Sequence, residues 1–144
     1  MAGRRLAASG ALVLDSEGLS KLAAGDRRAR AHMETARRRR ARVVVSAVTL
    51  TEVIRGDSRD AAVHRVLSRI TVLPVTVEIA RRAGELLGAT GLTGHRYALD
   101  AVVAATALQQ PRPVVLLTSD LDDINRLVEE PGRPKPQWVV VVHV

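Results

Sequence analysis

Short apolar runs recur along the chain, separated by longer segments in which apolar and polar residues alternate at helical spacing. A run of apolar residues without alternation predicts a strand that is covered on both faces, as in a parallel sheet. The strands predicted in this way are Ala11–Leu14, Val43–Ser46, Thr71–Val75, Val114–Leu117 and Trp138–Val142. Pro74 interrupts the third strand and places it at a sheet edge or a strand end, and the last strand is also expected at an edge.

The segments between these strands carry apolar residues three and four positions apart, which predicts helices. Thr49 and Glu52 have the spacing of a capping box, and the glycines at 88, 91 and 94 predict a loop. The predicted helices are Ser16–Ala24, one capped by Asp26 with Ala29, Met33 and Ala36 inside, one opened by Thr49–Glu52, Arg59–Arg69, one from Thr76 to about Leu87, Tyr97–Leu108, and one through Leu127 capped by Ser119 or Asp120. Strands that alternate with helices favour an α/β fold, a three-layer sandwich around a central, mostly parallel sheet, in a single domain spanning residues 1–144.

The predicted helix Tyr97–Leu108 is apolar or small at most positions but carries one carboxylate, Asp100. A buried carboxylate without compensation would cost several kcal/mol, so a cation is expected beside it. Arg96 lies one turn away and could form an ion pair with Asp100. A bound metal ion is the alternative.

Three further acids stand at or just after the ends of predicted strands. They are Asp15, Glu52 and Asp120. Ligands of parallel α/β sheets bind beyond the carboxyl ends of the strands, so these acids and Asp100 are expected at one edge. Each acid also has a purely structural explanation as a helix cap or ion-pair partner. Together they favour a metal site, because gathered carboxylates repel one another and oxygen ligands select Mg²⁺ or Mn²⁺.

The composition is strongly basic and poor in aromatic residues. There are 22 Lys and Arg against 15 Asp and Glu, a formal net charge of +7, no Phe, one Trp and one Tyr. Binding of nucleic acid would therefore depend on charge rather than on base stacking. The run Arg37–Arg40 suits an RNA or acidic-partner patch, and equally the solvated C-terminal end of a helix.

The absence of cysteine excludes a disulfide framework and a thiolate zinc site, and the four histidines show no paired spacing. No apolar run approaches the ~20 residues that cross a bilayer, so we expect no membrane partner. The first 14 residues only faintly resemble a signal peptide, since Ser9 and Gly10 interrupt the apolar part. We expect a short tail, then a first strand, in a cytoplasmic protein.

The order of these motifs resembles the PIN domain, and more narrowly the VapC-type ribonuclease toxins of bacterial toxin–antitoxin pairs. The motifs are Leu14-Asp15-Ser16-Glu17, Ser46 with Thr51-Glu52, Leu99-Asp100-Ala101 with Ala104-Ala105-Thr106-Ala107, and Leu117-Thr118-Ser119-Asp120 with Asp122-Asp123. The resemblance implies a metal-dependent endoribonuclease, usually a homodimer, held inactive by a cognate antitoxin whose tail covers the active site. By position, Asp15, Glu52, Asp100 and Asp120 match the acidic quartet of the family, and Asp123 matches a further acidic position. Glu17 and the turn at 121–124 depart from the commonest pattern, which leaves open how Asp120, Asp122 and Asp123 divide their roles.

The implied reaction is hydrolysis of an RNA phosphodiester by water activated on Mg²⁺ or Mn²⁺. Asp15 and Asp100 are expected as principal metal ligands, and Glu52 and Asp120 as ligands through water or as positioning groups. Thr118 or Ser119 would hydrogen-bond metal-bound water or substrate. The alternative is a non-catalytic PIN-like module that binds RNA or protein. A receiver-like or other phosphotransfer domain is disfavoured, since the chain has no GxxxxGK loop and no lysine after the third strand.

Overall fold

A computed structural model describes residues 10–144, and its centre is a sheet of five strands in the order β3-β2-β1-β4-β5. Every neighbouring pair is parallel. The strands are β1 (Ala11–Leu14), β2 (Arg42–Ser46), β3 (Thr71–Leu73), β4 (Val114–Thr118) and β5 (Val140–His143). The prediction of a mostly parallel sheet is confirmed, and both predicted edge strands, β3 and β5, lie at edges.

Seven helices cover the two faces of this sheet. They are α1 (Ser16–Ala23), α2 (Arg27–Arg38), α3 (Leu50–Val53), α4 (Ala61–Leu67), α5 (Val77–Thr90), α6 (Gly94–Leu108) and α7 (Leu121–Val128). Side chains of a strand alternate between faces, so Ala11 and Val13 pack in the core with α5, α6 and α7, whereas Leu12 and Leu14 pack with α1, α2 and α4. The three-layer α/β sandwich predicted from the sequence is therefore confirmed.

The register brings the carboxyl ends of the central strands to one level. Leu14 lies opposite both Val45 of β2 and Leu117 of β4. The residues that follow, Asp15, Ser46 and Thr118, consequently line the same edge of the sheet. Acids that directly follow these strands can reach one another there.

The connection between α5 and α6 is shorter than the glycines predict. Gly88 lies inside α5, which continues to Thr90, and Gly94 is the first residue of α6. Only Gly91 takes the left-handed conformation, φ +70°, that ends α5. Packing of α5 against α6 outweighs the weak helix propensity of glycine, which is about 1 kcal/mol per residue.

The capping box predicted at Thr49 is wrong. The chain turns three residues earlier, because Ser46 Oγ accepts a hydrogen bond from the Val48 N–H and opens a 3-10 turn at Ala47–Thr49. Thr49 is already helical and its side chain makes no capping bond to α3.

Two smaller differences concern the residues at which elements begin. A 3-10 turn at Ser58–Asp60 precedes α4, and Trp138 stands before β5 rather than in it. The tail expected before the first strand lies outside the described residues. In residues 10–144, no helix combines the length and the hydropathy needed to span a membrane.

Candidate active site

Asp15 stands at the junction of β1 and α1. Its Oδ1 accepts a hydrogen bond from the Gly18 N–H at 2.8 Å, so the carboxylate is also the N-cap of α1. A Cβ on Gly18 would lie 3.0 Å from the Leu117 carbonyl oxygen, so glycine lets α1 start close against β4. The side chain is buried, and burial raises its pKa against the opposing effect of the Gly18 N–H and the Thr118 hydroxyl. The nearby Glu52 and Glu17 carboxylates raise it further.

Asp100 is the electrostatic centre of the acidic group. Partial burial, followed by repulsion from other carboxylates, raises the pKa of Asp100 to about 6. In decreasing order of effect, the repelling carboxylates are Asp120, Glu52, Asp15 and Asp123. Asp100 therefore lies near enough to the other four acids that the sequence singled out, after β1, on α3 and at the start of α7, for their charges to act on it.

In the turn after β4, burial and hydrogen bonding distinguish the candidate site residues at positions 118–123 from one another. Thr118 is fully buried, and its Oγ1 accepts a hydrogen bond from the Asp120 N–H at 2.9 Å. Asp120 caps α7 through its Oδ1, which accepts from the Asp123 N–H at 3.3 Å. Ser119 and Asp122 are exposed, whereas Asp123 is half-buried and repels Asp100. Thr118 and Asp123 are therefore part of the site's interior, in contrast to Ser119 and Asp122.

An ion pair between Arg96 and Asp100 does not form. Arg96 lies over the Tyr97 ring, with its Cζ 5.2 Å from the ring centroid. The salt bridges of the described part of the chain involve Asp57, Glu85 and Glu130, and none reaches Asp100. No salt bridge within residues 10–144 therefore compensates the Asp100 carboxylate.

The donor set suits a hard divalent cation. It consists of carboxylate oxygens at one sheet edge, and their mutual repulsion is relieved when a cation lies between them. Within residues 10–144, however, no three acidic or histidine side chains already converge closely enough to hold one ion. Asp15 and Asp120 each direct one oxygen to a helix N-terminus instead.

Thr49 is a further polar residue at the carboxyl edge, and its capping-box spacing had predicted a helix cap. Its side chain is fully buried, and its Oγ1 has no hydrogen-bond partner in the described structure. The 3-10 turn that contains it packs against α6, the helix of Asp100. A single buried hydroxyl leaves no periodic signal, so only the tertiary structure could reveal it.

The fold and the acids beyond the carboxyl ends of its strands place the chain among parallel α/β domains with an acidic candidate site. A family model described as the PIN domain matches residues 12–129. Because this match covers most of the chain, the chain belongs to the PIN domain family. No curated protein matches it.

Solved structures share the fold over nearly the whole chain. A chain of VapBC2 from Rickettsia felis, bound to a DNA fragment from its promoter, has a TM-score of 0.67 at 15% identity and covers 93% of this chain and 98% of its own. For DNA-bound VapBC from Salmonella typhimurium the TM-score is 0.64 at 20% identity, over 92% of this chain and 96% of that one. A chain of a toxin–antitoxin complex from Klebsiella pneumoniae has a TM-score of 0.60 at 24% identity. The match covers 87% of this chain and 97% of that one. At these identities the likeness establishes a common fold.

Proposed function

We propose that this protein is a Mg²⁺- or Mn²⁺-dependent endoribonuclease and the toxin of a toxin–antitoxin pair. The observation that carries the proposal is the surrounding of Asp100 by four other carboxylates at the carboxyl edge of the sheet. Such a cluster is unfavourable without a cation, and a metal ion with its water is the reagent that phosphodiester hydrolysis needs.

The five acids would share the work of holding the ion. Asp15 and Asp100, the most buried and most strongly perturbed pair, are the proposed direct ligands. Glu52, Asp120 and Asp123 would hold its water or position the substrate. When bound, the metal supplies an activated water and stabilises negative charge on the phosphate. The Thr118 hydroxyl lowers the pKa of Asp15 against the larger effect of burial, and so favours the charged form that a ligand carboxylate requires.

RNA is the proposed substrate because the protein carries a net charge of +7. Arg96 lies one turn before Asp100 on α6 and is exposed, so it is the proposed contact for a phosphate beside the cleaved bond. Binding that depends on such contacts weakens steeply as salt rises.

A groove on the α1, α2 and α4 side is the proposed binding site of the antitoxin. It has a volume of about 380 Å³ and an apolar floor that includes Leu22, Met33 and Val66. Its rim carries four arginines, at 30, 37, 65 and 69, and one acid, Glu34. An amphipathic, acidic segment matches both the floor and the rim, since opposite charge would steer it into place. That the fold neighbours occur in toxin–antitoxin complexes supports this partner.

The groove can be tested by charge reversal. Arg65→Glu with Arg69→Glu should weaken capture of the cognate antitoxin. Arg27→Glu with Arg28→Glu, on the exposed start of α2 outside the groove, is the matched control. Equal affinities of the two double variants would contradict the groove assignment. The homodimer implied by the family resemblance stays a prediction that sedimentation analysis would check.

The metal site is best tested by thermal unfolding of the wild type and Asp100→Asn. Both are titrated with Mn²⁺, and a sample with EDTA gives the metal-free reference. Mn²⁺ should raise the wild-type midpoint, and the metal-free variant should be at least as stable as the wild type but less responsive. A wild type that binds RNA without responding to Mn²⁺ and without cleaving would favour the non-catalytic binding module instead.

A further inference from the structure

The chain that follows Glu52 is held from two sides by charged side chains that do not belong to the acidic cluster. The first is Asp60, which is only 4% exposed. Both oxygens of its carboxylate accept from the Arg55 N–H, at 3.1 Å, and Oδ2 also accepts from the Gly56 N–H at 2.6 Å. These bonds lower the pKa of Asp60, so the carboxylate is charged at neutral pH.

The second is the guanidinium of Arg55, which folds back on α3. It donates to the carbonyl oxygens of Ile54 at 3.0 Å, Thr51 at 3.5 Å and Glu52. The last carbonyls of a helix have no partner within it, and a cation is favoured there. Arg55 thus closes the C-terminal end of the helix that carries Glu52.

Helix α3 needs such support. It has four residues, none of them fully buried, although Leu50 and Val53 pack against the core beside α1, and its N-terminal side lacks a side-chain cap. A helix this short is unstable without external contacts. Asp60 directly precedes α4, and α4 packs against α1, which begins at Asp15. A continuous path of contacts therefore runs from Asp15 through α1 and α4 to Asp60, and from there to the chain beside Glu52.

We propose that Asp60 and Arg55 are positioning residues that hold the Glu52 carboxylate at the metal site. This inference rests on the proposed function, since it assigns Glu52 a place beside the ion. Asp60 never contacts the ion or the RNA. It acts by fixing the two amides at 55 and 56, and Arg55 acts by fixing the carbonyls at the end of α3.

The same loop offers a matched control in Asp57. Its carboxylate pairs with the Arg59 side chain at 2.7 Å on the surface, where the two side chains are 40% and 82% exposed. Asp57 also carries one negative charge and lies three residues from Asp60, but its side-chain bonds go to Arg59 alone. Asp57→Ala therefore removes the same charge from the same loop. It also removes the N-cap of the Ser58–Asp60 turn but leaves every hydrogen bond at the end of α3 in place.

The test is a double-mutant cycle with Mn²⁺ affinity of the metal-free protein as its main readout, measured by calorimetry. Asp60→Ala should weaken Mn²⁺ binding roughly tenfold, as loss of a group that orients a ligand does, and Asp57→Ala should leave it unchanged. In a Glu52→Gln background, Asp60→Ala should cause no further loss of affinity. Thermal midpoints of the same variants record any general loss of stability.

A purely structural Asp60 would lower the midpoint in both backgrounds and leave Mn²⁺ affinity unchanged, which would overturn the proposal. If Asp60→Ala fails to fold, Asp60→Asn and Arg55→Lys take its place, and Mn²⁺ affinity between those of the wild type and Glu52→Gln is then expected. Wild-type affinity for both would contradict the inference. Failure of the metal proposal itself looks different, because the wild type would then bind no Mn²⁺ in any background.

Discussion

Charged side chains meet at both ends of the strands, with opposite outcomes. The amino-terminal ends form what we call the amino edge of the sheet, and the carboxyl-terminal ends form its carboxyl edge. At the amino edge, Arg112 precedes β4 and donates to Glu130 Oε1 at 2.7 Å, to the Gln137 carbonyl at 2.8 Å and to the Leu108 carbonyl at 2.9 Å. The two side chains are 15% and 18% exposed. At the carboxyl edge, Asp15 and Asp100 face other carboxylates, and no salt bridge among residues 10–144 reaches them.

This difference separates a structural from a functional use of charge. Where the chain supplies both signs, a partly buried ion pair ties α6, α7 and the last segment together. Where it supplies one sign, the repulsion lowers the stability of the metal-free fold and leaves a place for a cation from solution. Loss of a charge should therefore have opposite effects at the two edges.

The largest effect is expected on activity at the carboxyl edge. Asp100→Asn should reduce Mg²⁺-dependent RNA cleavage roughly 100-fold or more, because a proposed direct ligand is lost. Single-turnover cleavage of a mixed RNA substrate measures this. Asp122→Asn, on the exposed first turn of α7, should retain wild-type activity. Cleavage by Asp100→Asn at the wild-type rate would remove the distinction between the two edges.

The next effect is on stability at the amino edge. Arg112→Ala should lower the free energy of unfolding by about 2 kcal/mol, since it leaves Glu130 Oε1 and two carbonyls without their donor in a partly buried place. Urea unfolding followed by circular dichroism measures the change. A loss below that of an ordinary surface pair would mean that water replaces the guanidinium.

At the carboxyl edge, loss of a charge should stabilise the metal-free protein instead of destabilising it, and this effect should depend on pH. The pKa of Asp100 is raised to about 6 in the fold, so protonation favours the folded state. The resulting stabilisation is complete below the unfolded pKa near 3.9 and is lost as pH rises through 6.

Asp100→Asn should consequently be more stable than the metal-free wild type at pH 7, by an amount on the order of 1 kcal/mol after allowance for solvent screening. The difference should vanish near pH 4. Thermal midpoints across this range in EDTA measure it, and a variant that is less stable at pH 7 would show that Asp100 has an internal partner.

The smallest effect is expected at the outer part of the amino-edge network. Arg133 Nε lies 3.2 Å from Glu130 Oε2, but the Arg133 side chain is 44% exposed. Arg133→Ala should cost less than about 0.5 kcal/mol, as solvent-exposed pairs do. Comparing the urea unfolding of this variant with that of Arg112→Ala shows whether burial, rather than distance alone, decides how much an ion pair stabilises the fold. Equal losses for the two variants would show that burial does not decide the strength of the pair.

Local patterns in the sequence predicted most of the fold. The apolar runs form the strands, and the predicted caps Asp26, Thr76 and Asp120 each accept a backbone N–H as expected. These features depend on residues within one turn or one strand, so they can be recognised without knowledge of the neighbours. The acids at the strand ends belong to the same category, although their roles as metal ligands stay a prediction.

Only the tertiary structure decided which charges find a partner. Arg112 and Glu130 are 18 residues apart, and Arg96 lies over Tyr97 although Asp100 is within reach on the same helix. The Asp60 side chain is buried and fixes the backbone after Glu52, although nothing local distinguishes it from a surface acid. Gly88 is helical because α5 packs on α6. Local propensities amount to fractions of a kcal/mol, whereas packing and desolvation are set by residues distant in the chain. The sequence therefore determines where the acids stand along the chain, and the fold determines that Asp100 lies among them with no ion pair from residues 10–144.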